Sequence, residues 1–151
     1  MNAIKRFENE DGRFYASVVC EPEQSLLMDV WTGELTSQDQ VVAVMDYCVG
    51  CIQKQGLESW LCDVSQLEGL IEESAKEAAN YFKNQLVETS LKKFAFISKK
   101  ASNTSRTLVS SVLAAQGIEV KTFANNALAM QWLLLPSIDD AVWDEAPVLT
   151  F

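Results

Sequence analysis

Two cysteines, Cys48 and Cys51, have the spacing of a redox-active pair. An active pair of this type lies at the amino terminus of a helix directly after a strand, where the helix dipole lowers the thiol pKa. Here both cysteines fall late in a predicted helix, and Cys48 lies on its apolar stripe. The sequence therefore favours buried, reduced, structural cysteines over a dithiol catalyst.

Asp63 and Ser65 are a second candidate for chemistry. The mostly apolar run Ser59–Val64 predicts a buried strand. Asp63 lies near the end of this run, and Ser65 directly follows it. Ser65 would then lie at the carboxyl end of that strand, where open α/β sheets bind their ligands. Its hydroxyl could accept a phosphate, or it could be a polar residue that turns the chain out of the sheet.

Other classes of chemistry lack the residues that they need. The 151 residues include no histidine, no glycine-rich phosphate loop and no convincing set of metal ligands. We therefore predict no catalytic residue, no cofactor and no metal, and an enzyme is the least favoured class.

Charge and hydropathy exclude further classes. Twelve basic against 21 acidic residues give a net charge of −9, which disfavours nucleic acid as a partner. The doublets Lys92-Lys93 and Lys99-Lys100 are interpreted as solvated strand ends. No apolar run reaches the ~18 residues of a membrane span, and the start lacks a signal segment, so we expect a cytoplasmic protein.

Short runs of β-branched and aromatic residues predict five strands. Arg13–Cys20 and Leu26–Trp31 flank a turn and predict a hairpin, with Phe14, Ala16 and Val18 on one face. The later strands are Ser59–Val64, Phe94–Ile97 and Ile118–Phe123, the last nearer an edge because it alternates. Leu61, Phe96 and Val112 are predicted to be nearly inaccessible, and Trp31 is placed near a surface turn.

Four segments have the apolar spacing of helices. The first has a capping box of Ser37 and Gln40 and ends at Gly56. The others are Leu70–Thr89, a segment from Ser102 or Asn103 to Gln116, and one from Asn125 or Asn126 to Pro136. The order β-β-α-β-α-β-α-β-α predicts an α/β fold: one domain over residues 1–136, with a mixed five-stranded sheet and parallel later strands.

Residues 137–151 form an acidic C-terminal tail that also holds Val142, Trp143, Val148, Leu149 and Phe151. That much apolar surface predicts docking on the domain or on a second copy, for example as a strand added to a sheet edge. A frayed terminus is the alternative.

The order of elements resembles the STAS domain, the fold of bacterial anti-sigma-factor antagonists and of sulfate-transporter tails. Three motifs carry this resemblance: Trp31-Thr32-Gly33, Asp63-Val64-Ser65, and Gly117 with Val120–Phe123 and Ala129–Leu133. They span the chain from Phe14 to Leu134. The resemblance implies a non-enzymatic, regulatory STAS-like domain.

The resemblance also gives Asp63 and Ser65 a role. In antagonist STAS domains, an aspartate ends the third strand and a partner kinase phosphorylates the serine two positions later. In the family, a glycine directly follows that serine. This chain has Gln66 at that position, and Glu68 lies two residues further on. A receiver domain is a weaker match, because Lys121 lies within the last strand and not after it.

Two function classes remain open. The first is a regulatory module that binds a protein partner or itself, which requires an exposed apolar patch. The second is a module that binds a small, lipid-like ligand between the sheet and the second or third helix, which requires a pre-formed apolar pocket.

Overall fold

The computed structural model describes residues 3–35, 37–68, 71–83, 85–98 and 103–135. The predicted tail, residues 137–151, lies outside these ranges. The strands are β1 (Ala3–Glu8), β2 (Phe14–Glu21), β3 (Leu26–Glu34), β4 (Ser59–Glu68), β5 (Lys93–Ile97) and β6 (Glu119–Phe123). The helices are α1 (Gln38–Gln55), α2 (Ile71–Phe82), α3 (Asn103–Ala114) and α4 (Asn126–Leu133). The predicted α/β fold with four helices is confirmed.

The described strands form one mixed sheet in the order β1-β2-β3-β4-β5-β6. The pairs β1/β2 and β2/β3 are antiparallel, and the later pairs are parallel. The hairpin, the parallel strands and the edge position of β6 are as predicted, but the sheet has six strands and not five. The additional strand β1 escaped prediction because an edge strand with charged residues lacks a continuous apolar face.

A bulge in the β1/β2 pair corrects one prediction about the core. Phe7 pairs with Ala16 and Glu8 with Phe14, so Tyr15 is an extra residue in β2. The extra residue reverses the alternation of side chains. Phe14 therefore does not share a face with Ala16 and Val18, and its side chain is 56% exposed.

Each face of the sheet is covered by different helices. Helices α1, α2 and α3 pack on one face, here called the inner face, over a core that includes Trp60, Phe82 and Phe94. Helix α4 packs on the opposite, outer face, over Leu61 and Ala95. The burial predicted for Leu61 and Phe96 is confirmed, whereas Val112 is only partly buried.

The ends of α1 follow the sequence signals. The Ser37 side chain accepts a hydrogen bond from the Asp39 N–H at 3.2 Å, and the Gln40 side chain accepts one from the Ser37 N–H at 3.0 Å. Gly56 ends the helix with φ 62°, a left-handed conformation that favours glycine.

Helix α2 ends at Phe82, seven residues before the predicted Thr89. A side chain from beyond α3 provides the stop: Gln116 Nε2 donates to the Phe82 carbonyl at 2.7 Å, and Gln116 Oε1 accepts from the Leu86 N–H at 2.9 Å. Leu86 is buried although it lies after the helix. The apolar spacing that predicted a longer helix reflects burial in the following turns.

Lys93 is buried, so the interpretation of its doublet as a solvated strand end is wrong for this residue. Its Nζ donates to the carbonyls of Trp132 at 3.0 Å and Leu135 at 2.8 Å. A cation near the last carbonyls of a helix is favourable. Lys93 thus holds the end of α4 at the amino-terminal ends of the parallel strands. The Nζ atom of its neighbour Lys92 lies 3.5 Å from Glu58 Oε1.

Among the residues that the structure describes, no helix has the length and hydropathy needed to cross a membrane.

Candidate functional site

The carboxyl half of β4 extends beyond its neighbour β5. The β4/β5 pairing runs from Ser59 with Lys93 to Asp63 with Ile97, whereas the β3/β4 pairing continues to Glu34 with Glu68. Within the described ranges, β5 therefore offers no partner to β4 after Asp63. This leaves a step in the sheet at the carboxyl ends of its strands, the edge where open α/β sheets bind ligands.

Ser65 lies within β4, at an irregularity of the β3/β4 pair. Val30 pairs with Asp63 and Thr32 with Gln66, so Trp31 faces two residues of β4. Such bulges are rare between parallel strands and often lie next to functional sites. The alternative that Ser65 turns the chain out of the sheet is wrong, because β4 continues to Glu68 and α2 begins only at Ile71.

The structure brings the predicted pair, Asp63 and Ser65, into direct contact. Asp63 Oδ1 accepts hydrogen bonds from the Ser65 backbone N–H at 2.9 Å and from the Ser65 hydroxyl at 2.6 Å. Both residues are partly buried. A phosphate on Ser65 would remove the hydroxyl donor and place close to two negative charges beside the carboxylate. Phosphorylation would therefore break this contact, and its use as a switch stays a prediction.

Asp29 is a buried carboxylate that the sequence analysis missed. It pairs with Cys62 across the β3/β4 ladder and has 0% exposure. Its Oδ2 accepts from Trp31 Nε1 at 2.5 Å, and its Oδ1 accepts from Trp60 Nε1 at 2.6 Å. The Cys62 thiol lies 3.4 Å from Oδ2. Two indoles and a thiol thus donate to one carboxylate within the core.

This contact explains why Trp31 is not at a surface turn, as predicted, but only 3% exposed. A buried indole requires an acceptor for its N–H, and Asp29 supplies one to each of two tryptophans. The available signal was Asp29 itself, the one acid in the otherwise apolar run Leu26–Trp31, because aspartate is almost never fully buried without partners.

Burial raises the pKa of Asp29 from its ordinary value to about 6. Hydrogen bonds from Trp60, Trp31 and Cys62 oppose this rise, since they favour the charged form. The result is a core carboxyl group that changes its protonation state in mildly acidic solution.

Cys48 and Cys51 are buried and form no disulfide bond, and the same is true of Cys20 and Cys62. Burial raises the pKa of Cys48 well above its ordinary value, and the nearby charge of Asp29 raises it further. Burial likewise raises the pKa of Cys62. Because the thiolate is the reactive form, this environment is opposite to that of a redox catalyst.

We expect all four thiols of the native protein to react slowly with a chromogenic thiol reagent, and to react quickly in denaturant. Ser111→Cys, which adds an exposed thiol on α3, is the matched control and should react at once. Fast labelling of Cys48 or Cys51 in the native chain, located by peptide mass spectrometry, would restore the redox hypothesis.

The predicted place for a lipid-like ligand lies between the sheet and the second or third helix. Among the described residues, Trp60, Phe82 and Phe94 belong to the buried cluster on this inner face. A cleft of about 810 Å³ lies elsewhere, between the end of α1 and the segment after α2. Its lining residues are Ile52, Gln53, Gly56, Gln85, Val87, Glu88, Thr89 and Ser90. No group of three or more metal-ligating side chains is found among the described residues.

Comparisons with known proteins add one finding. No family model and no curated protein matches the sequence. Among solved structures, the chain is similar to the crystal structure of an uncharacterized protein from the DUF3478 family with a SpoIIAA-like fold, from Shewanella loihica PV-4. The identity is 20%, the TM-score is 0.47, and the match covers 87% of this chain and 93% of that one.

Proposed function

We propose that this chain is a non-enzymatic, STAS-like regulatory module that binds a protein partner at the carboxyl end of β4. The observation that carries the proposal is the Asp63–Ser65 pair, held by two hydrogen bonds to one carboxylate oxygen at the step in the sheet. This is the position that the STAS resemblance assigns to a regulatory aspartate and serine.

The local geometry supports a protein partner. Beyond Asp63, β4 pairs with β3 alone among the described strands, an arrangement that suits a partner which adds a strand or loop beside β4. The free, buried cysteines suit a reducing compartment, and we therefore also propose a cytoplasmic location. The lipid-like ligand stays an alternative without a specific observation in its favour.

The proposal predicts that a negative charge at Ser65 disrupts partner binding. Ser65→Glu places a carboxylate beside Asp63 and removes the hydroxyl donor, so the contact between the two residues is lost. We expect at least tenfold less of the bound partner on the Ser65→Glu chain than on the unaltered chain. The measurement is affinity capture from a cell extract with quantitative mass spectrometry, followed by calorimetric titration with the purified partner.

Ser111→Glu provides the matched control, because it adds the same charge at an exposed position of α3. It should retain the partner fully. If every captured protein binds the Ser65→Glu and Ser111→Glu chains equally, the site is not at Ser65. If capture fails, sedimentation of the unaltered and Ser65→Glu chains tests self-association at the same site.

A further inference from the structure

Strand β6 is the last strand of the sheet, and among the described strands it pairs with β5 alone. It carries one acidic and one basic residue two positions apart, Glu119 and Lys121. Both side chains are exposed. An edge strand can pair with a strand of another chain, and the charges along it decide which pairings are favourable.

The backbone of β6 determines which residues would pair across this edge. The Glu119 N–H donates to the Lys92 carbonyl at 2.9 Å, and the Phe123 carbonyl accepts from the N–H of the residue after β5 at 3.3 Å. These two residues of β6 therefore turn their backbone groups towards β5. Because successive residues of a strand turn these groups to opposite sides, Val120 and Thr122 direct theirs away from β5. A strand added at this edge would hydrogen-bond to Val120 and Thr122.

The side chains of β6 alternate between the two faces of the sheet. Val120 packs against the core of the inner face. On the outer face, Phe123 belongs to the cluster beneath α4, and Lys121 Nζ lies 5.3 Å from the ring centroid of Trp132 in α4. Glu119 shares this outer face, because it lies two positions before Lys121. In an antiparallel pair, Glu119 and Lys121 of one copy would therefore face outer-face side chains of the other.

Charge and hydrogen bonding together select one antiparallel register between two copies of β6. In the two neighbouring registers with the same backbone pairing, Lys121 lies opposite Lys121 or Glu119 opposite Glu119, and like charges at such positions are unfavourable. When Val120 lies opposite Val120, each Glu119 lies opposite a Lys121. Glu119 and Lys121 then occupy non-hydrogen-bonded positions, where opposite Cα atoms are about 4.5 Å apart and the side chains are close. The charges thus favour a two-fold pair centred on Val120.

The outer face beside β6 also has an exposed apolar side chain. Trp132 of α4 packs against Phe123, with ring centroids 5.6 Å apart. Leu128 lies about one helical turn before Trp132 on the same side of α4, and its side chain is 51% exposed. In the two-fold pair, the two α4 helices lie on the outer face on either side of the new strand pair. Association would therefore shield Leu128 of both copies from water.

We infer that two copies of this chain associate through β6, in an antiparallel pair centred on Val120 that joins their sheets into one. The Val120 backbone groups of the two copies exchange hydrogen bonds. On the outer face, Glu119 of each copy pairs with Lys121 of the other. This surface is two strands away from the proposed partner site on β4, so the two surfaces are distinct.

Reversing the charges one at a time tests the register. Glu119→Lys alone places like charges opposite each other in the pair, and so does Lys121→Glu alone. Sedimentation equilibrium gives the dimer dissociation constant of each full-length chain. We expect a dimer for the unaltered chain, and a dissociation constant at least tenfold higher for each variant alone. In an equimolar mixture of the two variants, both cross-strand pairs again have opposite charges, so a heterodimer should form about as tightly as the unaltered dimer.

Two further variants serve as controls. Glu23→Lys makes the same change of net charge as Glu119→Lys, at an exposed position between β2 and β3, and should leave the dissociation constant unchanged. Ser65→Glu should also leave it unchanged, because Ser65 lies on β4, so this test is separate from the capture of a partner. Circular dichroism of each variant ensures that only folded chains are compared.

Four results would overturn the inference. A monomer mass for the unaltered chain, up to the highest soluble concentration, means that β6 does not pair. Dimers of Glu119→Lys and Lys121→Glu as tight as the unaltered dimer mean that another surface joins the copies. A mixture that associates no better than either variant alone means that the register is wrong. A mass that grows beyond twice 16.8 kDa means open-ended assembly, such as β6 pairing with β1 of the next copy.

Discussion

Asp29→Asn should make the protein lose stability, relative to the unaltered chain, as the pH is lowered from 8 to 5. In the native chain the pKa of Asp29 is raised to about 6 by burial. Between pH 8 and pH 5, the unfolding free energy of the unaltered chain should rise by about 1.4 kcal/mol relative to that of Asp29→Asn. This is the free energy that corresponds to one pH unit, the distance from the pKa of about 6 to pH 5. Urea titration of both chains at each pH measures it.

The sign follows from proton binding in the folded and unfolded states. Asp29 has a folded pKa above the value of an unfolded aspartate, so between about pH 4 and 6 the folded state binds a proton that the unfolded state lacks. Stability from this group is present at low pH and falls as the pH rises through about 6. Asparagine does not titrate, so the variant lacks this gain on acidification. Measurements at pH 5 stay above the pI of about 4.4, where loss of net charge promotes precipitation.

Asparagine should also perturb the two tryptophans. An amide offers one oxygen in place of two, so the N–H of either Trp31 or Trp60 loses its acceptor, at a cost of about 1–3 kcal/mol. Asp11→Asn, which removes one exposed carboxylate, is the control for a change of net charge. If the difference in unfolding free energy between Asp29→Asn and Asp11→Asn is the same at pH 8 and at pH 5, Asp29 does not change its protonation state in this range.

The order of helices and strands could be predicted because local signals and burial agree in most elements. The structure has the local features that the sequence predicts at three places: the helix cap of Ser37 and Gln40, the helix end at Gly56, and the buried strand around Phe94. The failures come from contacts between distant residues. The early end of α2 depends on Gln116, and the reversed face of Phe14 depends on a bulge opposite β1.

The candidate site was only partly predictable for the same reason. Asp63 and Ser65 are two positions apart, so their contact is local and their spacing indicates it. The acceptor for Trp60 is Asp29, 31 positions away, and no periodic pattern links the two. Lys93 is a similar case: its doublet is typical of a surface, yet its ammonium group binds carbonyls about 40 positions later.

The largest loss of stability is expected from Phe94→Ala. Phe94 is 1% exposed, and its ring centroid lies 4.9 Å from that of Trp60 and 4.7 Å from that of Phe96. Truncation removes these contacts and leaves a cavity that a packed strand cannot close, which should cost about 3–5 kcal/mol in urea unfolding. Phe14→Ala removes the same side chain where it is 56% exposed, and should cost less than about 1 kcal/mol. If Phe94→Ala does not fold, Phe94→Leu should show a smaller loss in the same direction. Equal losses at positions 94 and 14 would mean that the Phe94 side chain of β5 is not packed in the core of the inner face.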